Sequence, residues 1–241
     1  MRARVLLPML AALALLVPRA AAETPSVQHL TSTIAGLMTD GRVIAGAVPL
    51  ASGRWGTDYI TVSHTLSMKN DYAVVRGGDA PAAAKPVMAC SSMAQGIDVL
   101  VLRVVSHKEL PVLEWGDPID LRSGDELTVM VRKEFHPAPV KVKFVHLNLL
   151  QWSRAKPGEW PAQWHNVMVA QGLAKPGFSG SPWIRDGKIY GLLKGAVRPP
   201  GHAAWYATAE TATRIKQCLK DQRYDDMVAQ AQEDEDLLPN R

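Results

Sequence analysis

The sequence carries only two cysteines, Cys90 and Cys218, in 241 residues. Neither stands at a metal-ligand spacing from histidine or another cysteine, which argues against a structural zinc site. There is no internal repeat and no glycine-rich phosphate loop, so solenoid and P-loop architectures drop out. Beyond residue 17 no apolar run is long enough to cross a bilayer as a helix. An excess of one charge is also missing. Arg2, Arg4 and Arg19 stand in a leader without acids, and discounting those three charges takes the formal +4 of the whole chain to +1. The electrostatic footprint of a nucleic-acid-binding protein is therefore absent.

What is present begins with that leader. Two arginines precede the apolar run VLLPMLAALALLV (5–17), and the small residues AAA (20–22) follow it. This pattern predicts a signal peptide over 1–22 and a protein that is secreted or periplasmic, with no membrane attachment after cleavage. No cysteine follows the run, which argues against a lipid-modified N-terminus. In an oxidising compartment Cys90 and Cys218 either pair or remain two buried thiols; the spacing leaves both open.

The rest reads as short β-strands. SVQHLTSTIAGLM (26–38) is weakly amphipathic and is expected as a short helix. RVIAGAVPLA (42–51), YITVSHTL (59–66), YAVVRGG (72–78), AKPVMAC (84–90) and DVLVLRVV (98–105) are then β-branched or apolar runs bounded by turn residues. The turn-rich stretch 110–125 is read as a link. ELTVMVRK (126–133) and VKVKFVHLNLL (140–150) alternate polar with apolar, separated by HPAP (136–139). PWIRDGKIYGLLKG (182–195) has Asp186-Gly187 at its middle, a hairpin signal. Ile215, Cys218 and Leu219 share one face of a C-terminal helix. The expected organisation is all-β: a unit over 23–115, a second over 116–209, a helix over 210–224 and an acidic, frayed tail over 225–241.

Three stretches carry chemistry. In ITVSHTLS a β-branched strand runs into Ser63 and His64, placing an imidazole at a strand end. In IDVLVL an aspartate, Asp98, heads a continuous apolar strand, where a buried charge needs a partner. In PGFSGSP, Gly177 and Gly180 flank Ser179 and permit the backbone dihedrals of a tight loop. Base, orienting carboxylate and nucleophile are the parts of serine acyl transfer, and their order along the chain is that of chymotrypsin.

With those residues in hand, the chain resembles a trypsin-like (chymotrypsin-fold) serine peptidase of the bacterial exported type. TVSHTL is similar to the family's Thr-Ala-Ala-His-Cys segment, IDVLVL to Asp-Ile-Ala-Leu-Leu, and GFSGSP to Gly-Asp-Ser-Gly-Gly-Pro. The resemblance covers about 42–209. It implies two antiparallel six-stranded β-barrels with a C-terminal helix, a catalytic set of His64, Asp98 and Ser179, and an oxyanion hole from the Gly177 and Ser179 N–H groups. It implies endopeptidase action on protein or peptide substrates without cofactor or metal. Leu173 would form the base of the primary substrate pocket, with Lys194, Gly195, Ala196 and Ala204 around it, a set that favours medium apolar side chains. Phe178 departs from the family's usual Asp or Asn before the serine. Lys194 stands where the family often has a small hydroxyl residue supporting the buried aspartate. These departures feed an alternative: a catalytically inactive protease fold retained as a binding module.

Overall fold

The computed structural model describes residues 33–66, 71–77, 79–92, 97–106, 108–133, 136–151, 163–172, 175–197 and 203–236. The expected signal peptide, 1–22, lies outside the described residues.

Strands β1 (Ala35–Thr39), β2 (Arg42–Gly53), β3 (Gly56–Thr61), β4 (Tyr72–Arg76), β5 (Ala82–Ser92) and β6 (Ile97–Val104) form the first unit. They close into a barrel in the order β1-β2-β3-β6-β5-β4, all antiparallel. The second unit comprises β7 (Glu114–Trp115), β8 (Glu126–Lys133), β9 (His136–Gln151), β10 (Gln163–Gln171), β11 (Pro182–Arg185), β12 (Lys188–Val197) and β13 (Tyr206–Thr211). Six of these run β11-β8-β9-β10-β13-β12, and the β11–β12 pairing closes the ring. β7 adds to β12 as a parallel outer strand. Two closed six-stranded antiparallel barrels are thus present, as the sequence implied.

Local chemistry explains the tightest connections. Asp40-Gly41 and Asp186-Gly187 both adopt positive φ (50° and 72°; 50° and 74°). Two consecutive left-handed residues match the strand twist in two-residue hairpins, and Asp-Gly supplies them at low cost. The first joins β1 to β2 and the second β11 to β12. β6 is apolar from Val99 to Leu102 because both of its faces are covered there. Leu100 and Leu102 enter the first barrel's core with Leu37, Ala45, Ala47 and Tyr59. Val99 and Val101 face a second cluster with Val48, Ile60, Met130, Leu192 and Ile215. Each Val, Leu, Ile or Met among them contributes roughly 1.5–3 kcal/mol on burial. This second cluster draws on both barrels and on the C-terminal helices, so the halves share a core.

Three expectations are corrected. Ala35–Met38, the end of the segment expected as a helix over 26–38, belongs to β1; the strand's backbone groups are taken up by β2 and β4 on either side. HPAP does not end a strand: Pro137 and Pro139 lie inside β9, opposite Arg132 and Met130. β10 pairs only with Lys143 and beyond, so the prolines interrupt no second ladder. The tail expected from 225 is helical as far as Asp236.

The predicted C-terminal helix forms as α1 (Ala212–Asp221), with Thr211 as N-cap accepting from Arg214 N–H. α2 (Tyr224–Asp236) follows after a turn with Arg223 at φ 55°. Tyr224, Met227 and Val228, at i, i+3 and i+4, pack against the shared core, while Asp225 and Asp226 favour the helix N-terminus. Cys90 and Cys218 are disulfide-bonded with their Cα atoms 6.3 Å apart, tying β5 to α1. Tyr224 O–H donates to Asp58 Oδ2 at 2.8 Å, and Arg103 grips the same fully buried carboxylate with two N–H groups. The C-terminal helices are therefore pinned to the first barrel.

Candidate active site

β3 ends at Thr61, whose hydroxyl donates to Gly46 O at 2.6 Å. The chain then makes one 3-10 turn, Ser63–Thr65, closed by Leu66 N–H on Ser63 O. This turn buries Ser63 and leaves the His64 side chain 45% exposed at the barrel rim. Asp98, second residue of β6, is 4% exposed. Its Oδ2 lies 2.6 Å from His64 Nδ1. Its Oδ1 accepts from Ser63 Oγ at 2.7 Å and from His64 N–H at 2.8 Å. Burial alone would push this carboxyl up. The hydrogen bond and charge of the His64 ring outweigh that, helped by the Ser63 hydroxyl and His64 N–H, and hold it below the ordinary aspartate range.

Ser179 sits in a loop of two successive turns. Phe178 N–H donates to Lys175 O at 3.1 Å around Gly177 (φ 84°), and Ser181 N–H donates to Phe178 O at 3.2 Å around Gly180 (φ 76°). The loop is sewn to β12 by Gly180 N–H to Leu193 O (2.7 Å) and Leu193 N–H to Ser181 O (2.8 Å). It is sewn to the first barrel by Gly46 N–H to Ser179 O at 2.7 Å. Phe178 is 7% exposed and packs into the second barrel's core with Trp183 and Leu193. It anchors the loop rather than filling the cleft.

Across the groove, His64 Nε2 lies 2.9 Å from Ser179 Oγ. In the neutral imidazole with its proton on Nδ1, toward Asp98, Nε2 is the acceptor and the Ser179 hydroxyl the donor. The sequence-predicted His64, Asp98 and Ser179 are thus brought together in one hydrogen-bonded line. Among the described residues, the N–H groups of Gly177 and Ser179 meet no acceptor.

A cleft of about 230 Å³ opens beside Ser179, lined by Lys175, Pro176, Leu193, Gly195 and Ala196. Gly195 and Ala196, expected beside the substrate, are among the residues that line it. Leu173 lies outside the described residues. Ala204 is exposed and does not line this cleft. Lys194 is a correction. The β12–β13 register steps from Leu193↔Ala209 to Gly195↔Thr208, so Lys194 is the extra residue of a β-bulge. Its side chain turns inward, with Nζ 3.4 Å from Glu210 Oε2, while Arg214 Nε lies 3.1 Å from the other carboxylate oxygen. Glu210 is fully buried, and desolvation raises its carboxyl above the ordinary range, against the pull of the two cations. Sequence reasoning missed Glu210 and the role of Gly46. An acid inside the apolar run YATAE was the available signal for the first; Gly46 had none. No group of three His, Cys, Asp or Glu side chains converges as a metal site among the described residues.

No protein-family model matches the sequence, and neither does any curated protein sequence. Solved structures do match. The Rv3671c protease from M. tuberculosis in its active form superposes with a TM-score of 0.63 at 18% identity, over 82% of this chain and 83% of that one. The MamO protease domain from Magnetospirillum magneticum gives 0.60 at 12% identity, over 78% and 96%. Deg5 gives 0.59 at 13% identity, over 79% and 88%. The chain has the trypsin-like double-barrel fold that these serine proteases share.

Proposed function

We propose that the chain is an exported serine endopeptidase. The observation that carries this reading is the line Asp98–His64–Ser179, with both imidazole nitrogens within 3 Å of their partners. In the proposed reaction Ser179 Oγ attacks the scissile carbonyl carbon while His64 Nε2 takes the hydroxyl proton. Asp98 keeps the proton on Nδ1 and offsets the imidazolium that forms. The N–H groups of Gly177 and Ser179 receive the developing oxyanion. His64 then hands its proton to the leaving amine, and water repeats the cycle on the acyl-enzyme.

The cleft supports a substrate with a small or medium apolar residue before the scissile bond: beside Lys175 and Pro176 its walls are Leu193, Gly195 and Ala196, and among the described residues no acid lines it to pair a basic side chain. The leader over 1–22 supports export. Among the described residues no helix is long and apolar enough to cross a membrane. The binding-module alternative gains nothing from Phe178 or Lys194, because both side chains turn away from the cleft.

A peptide-library digest tests the proposal. Protein lacking residues 1–22 is expected to cleave after Ala, Val or Leu, and Ser179→Ala is expected to cleave nothing. Equal products from both proteins, or none from the unsubstituted protein between about pH 6 and 9, where a histidine base becomes neutral, would refute it.

A further inference from the structure

The Asp98 carboxylate is gripped from the histidine turn itself. Ser63 Oγ and His64 N–H both donate to Oδ1, at 2.7 and 2.8 Å, leaving Oδ2 to face the imidazole. Two donors on one oxygen stop rotation about the Cβ–Cγ bond, so the carboxylate plane, and with it the imidazole, is fixed. Ser63 does not serve the local turn with its hydroxyl. The residue preceding the 3-10 turn has no side-chain cap, and the Ser63 hydroxyl spans 35 residues of sequence to reach Asp98. On β12, where the resemblance places a supporting hydroxyl, the bulged Lys194 is directed to Glu210 instead.

We propose that Ser63 is the positioning residue of this site: its hydroxyl holds the Asp98 carboxylate in the plane that aligns His64, in place of a hydroxyl from the strand after the nucleophile. The proposal rests on the peptidase reading above. A hydrogen bond to a buried charge is among the stronger ones, because losing it leaves an acceptor of that charge unmet. The loss falls on the step in which His64 becomes charged, not on the binding of substrate.

The probe is a fluorophosphonate, which needs only the serine and its base and no knowledge of the natural substrate. For Ser63→Ala the maximal inactivation rate is expected to fall about tenfold with the half-saturating probe concentration unchanged. Ser63→Thr, which restores a hydroxyl, is expected to recover most of the rate. In an Asp98→Asn background, Ser63→Ala is expected to add less than about twofold, because a residue acting through a partner loses its effect once that partner is changed. Should Ser63→Ala not fold, Ser63→Thr and Ser63→Val, equal in shape and differing in the hydroxyl, make the same comparison. Equal rates for Ala and Ser, or for Val and Thr, would overturn the proposal. So would a full tenfold loss persisting in the Asp98→Asn background. Absence of labelling in the unsubstituted protein is a different outcome: it removes the peptidase reading itself, and the role of Ser63 with it.

Discussion

Gly180→Ala is the substitution whose outcome the geometry determines most closely. Gly180 has φ 76°, a left-handed conformation that costs a non-glycine residue roughly 1–2 kcal/mol. A Cβ there would also overlap the Gly46 carbonyl oxygen and Thr61 Oγ1, far inside the 3.0 Å that real Cβ atoms respect. Neither neighbour is free to retreat. Gly46 O is held by the Thr61 hydroxyl at 2.6 Å, and Gly46 N–H is bonded to Ser179 O at 2.7 Å. Relief must come from the Ser179 loop, which has to withdraw by about 1 Å. A displacement of that size from a reactive alignment costs about 10²-fold in rate. The overlap itself adds about 1–3 kcal/mol of overpacking to the backbone strain. Gly124→Ala is the control: Gly124 has φ 93°, yet a Cβ meets nothing within 4 Å. Intact-mass kinetics of fluorophosphonate labelling and urea midpoints would be read on both variants. The expected result is that both lose some stability and only Gly180→Ala loses about a hundredfold in labelling rate. Labelling of Gly180→Ala at the unsubstituted rate would refute the idea that contact with the first barrel sets the position of the serine.

Further outcomes follow from the same structure. Asp98→Asn should slow labelling by about 10³–10⁴-fold, because the imidazole loses its orienting charge and tautomer. Its stability deficit should depend on pH. The folded carboxyl lies below its ordinary value, so its contribution is present above roughly pH 4 and lost as pH falls through the depressed value. Urea melts of the two proteins should therefore converge on acidification; a gap that widens toward low pH would contradict the sign. Replacing Cys90 and Cys218 by alanine opens a loop of sequence separation 128, for which chain entropy predicts a loss of up to about 5 kcal/mol. Unchanged thermal stability would show that the bridge constrains nothing in the unfolded chain. Tyr224→Phe should cost about 1–2 kcal/mol by leaving Asp58 short of a donor, with the labelling rate unmoved; a slowed rate would mean that α2 reaches the site.

Much of this molecule was legible in its sequence because barrels are built from local signals. The runs ending at His64 and beginning at Asp98 are β-branched or apolar for a reason visible in the structure: β6 is covered on both faces, and β3 is buried along its length. The glycines around Ser179 were informative because two positive φ values leave few alternatives to glycine. What stayed hidden was set by tertiary contacts. Ala35–Thr39 has no strong pattern of its own and becomes a strand only because β2 and β4 flank it. α2 looked like an acidic tail until its Tyr224, Met227 and Val228 face found the shared core. Lys194 is placed beside the cleft by the resemblance alone; a one-residue bulge in β12 directs it to Glu210 instead, and nothing in GLLKGA announces that bulge. Ser63 was legible only as a small residue before a histidine; its bond to Asp98 joins two strands remote in sequence.

The central claim is that the Ser179 hydroxyl is activated by His64 across the groove between the barrels. Mapping a fluorophosphonate adduct by peptide mass spectrometry tests it most directly. The account predicts one phosphonylated site, Ser179, lost in Ser179→Ala and suppressed by several orders of magnitude in His64→Ala. An adduct on Ser63, Ser181 or any other hydroxyl, or one on Ser179 that forms equally fast without His64, would contradict it.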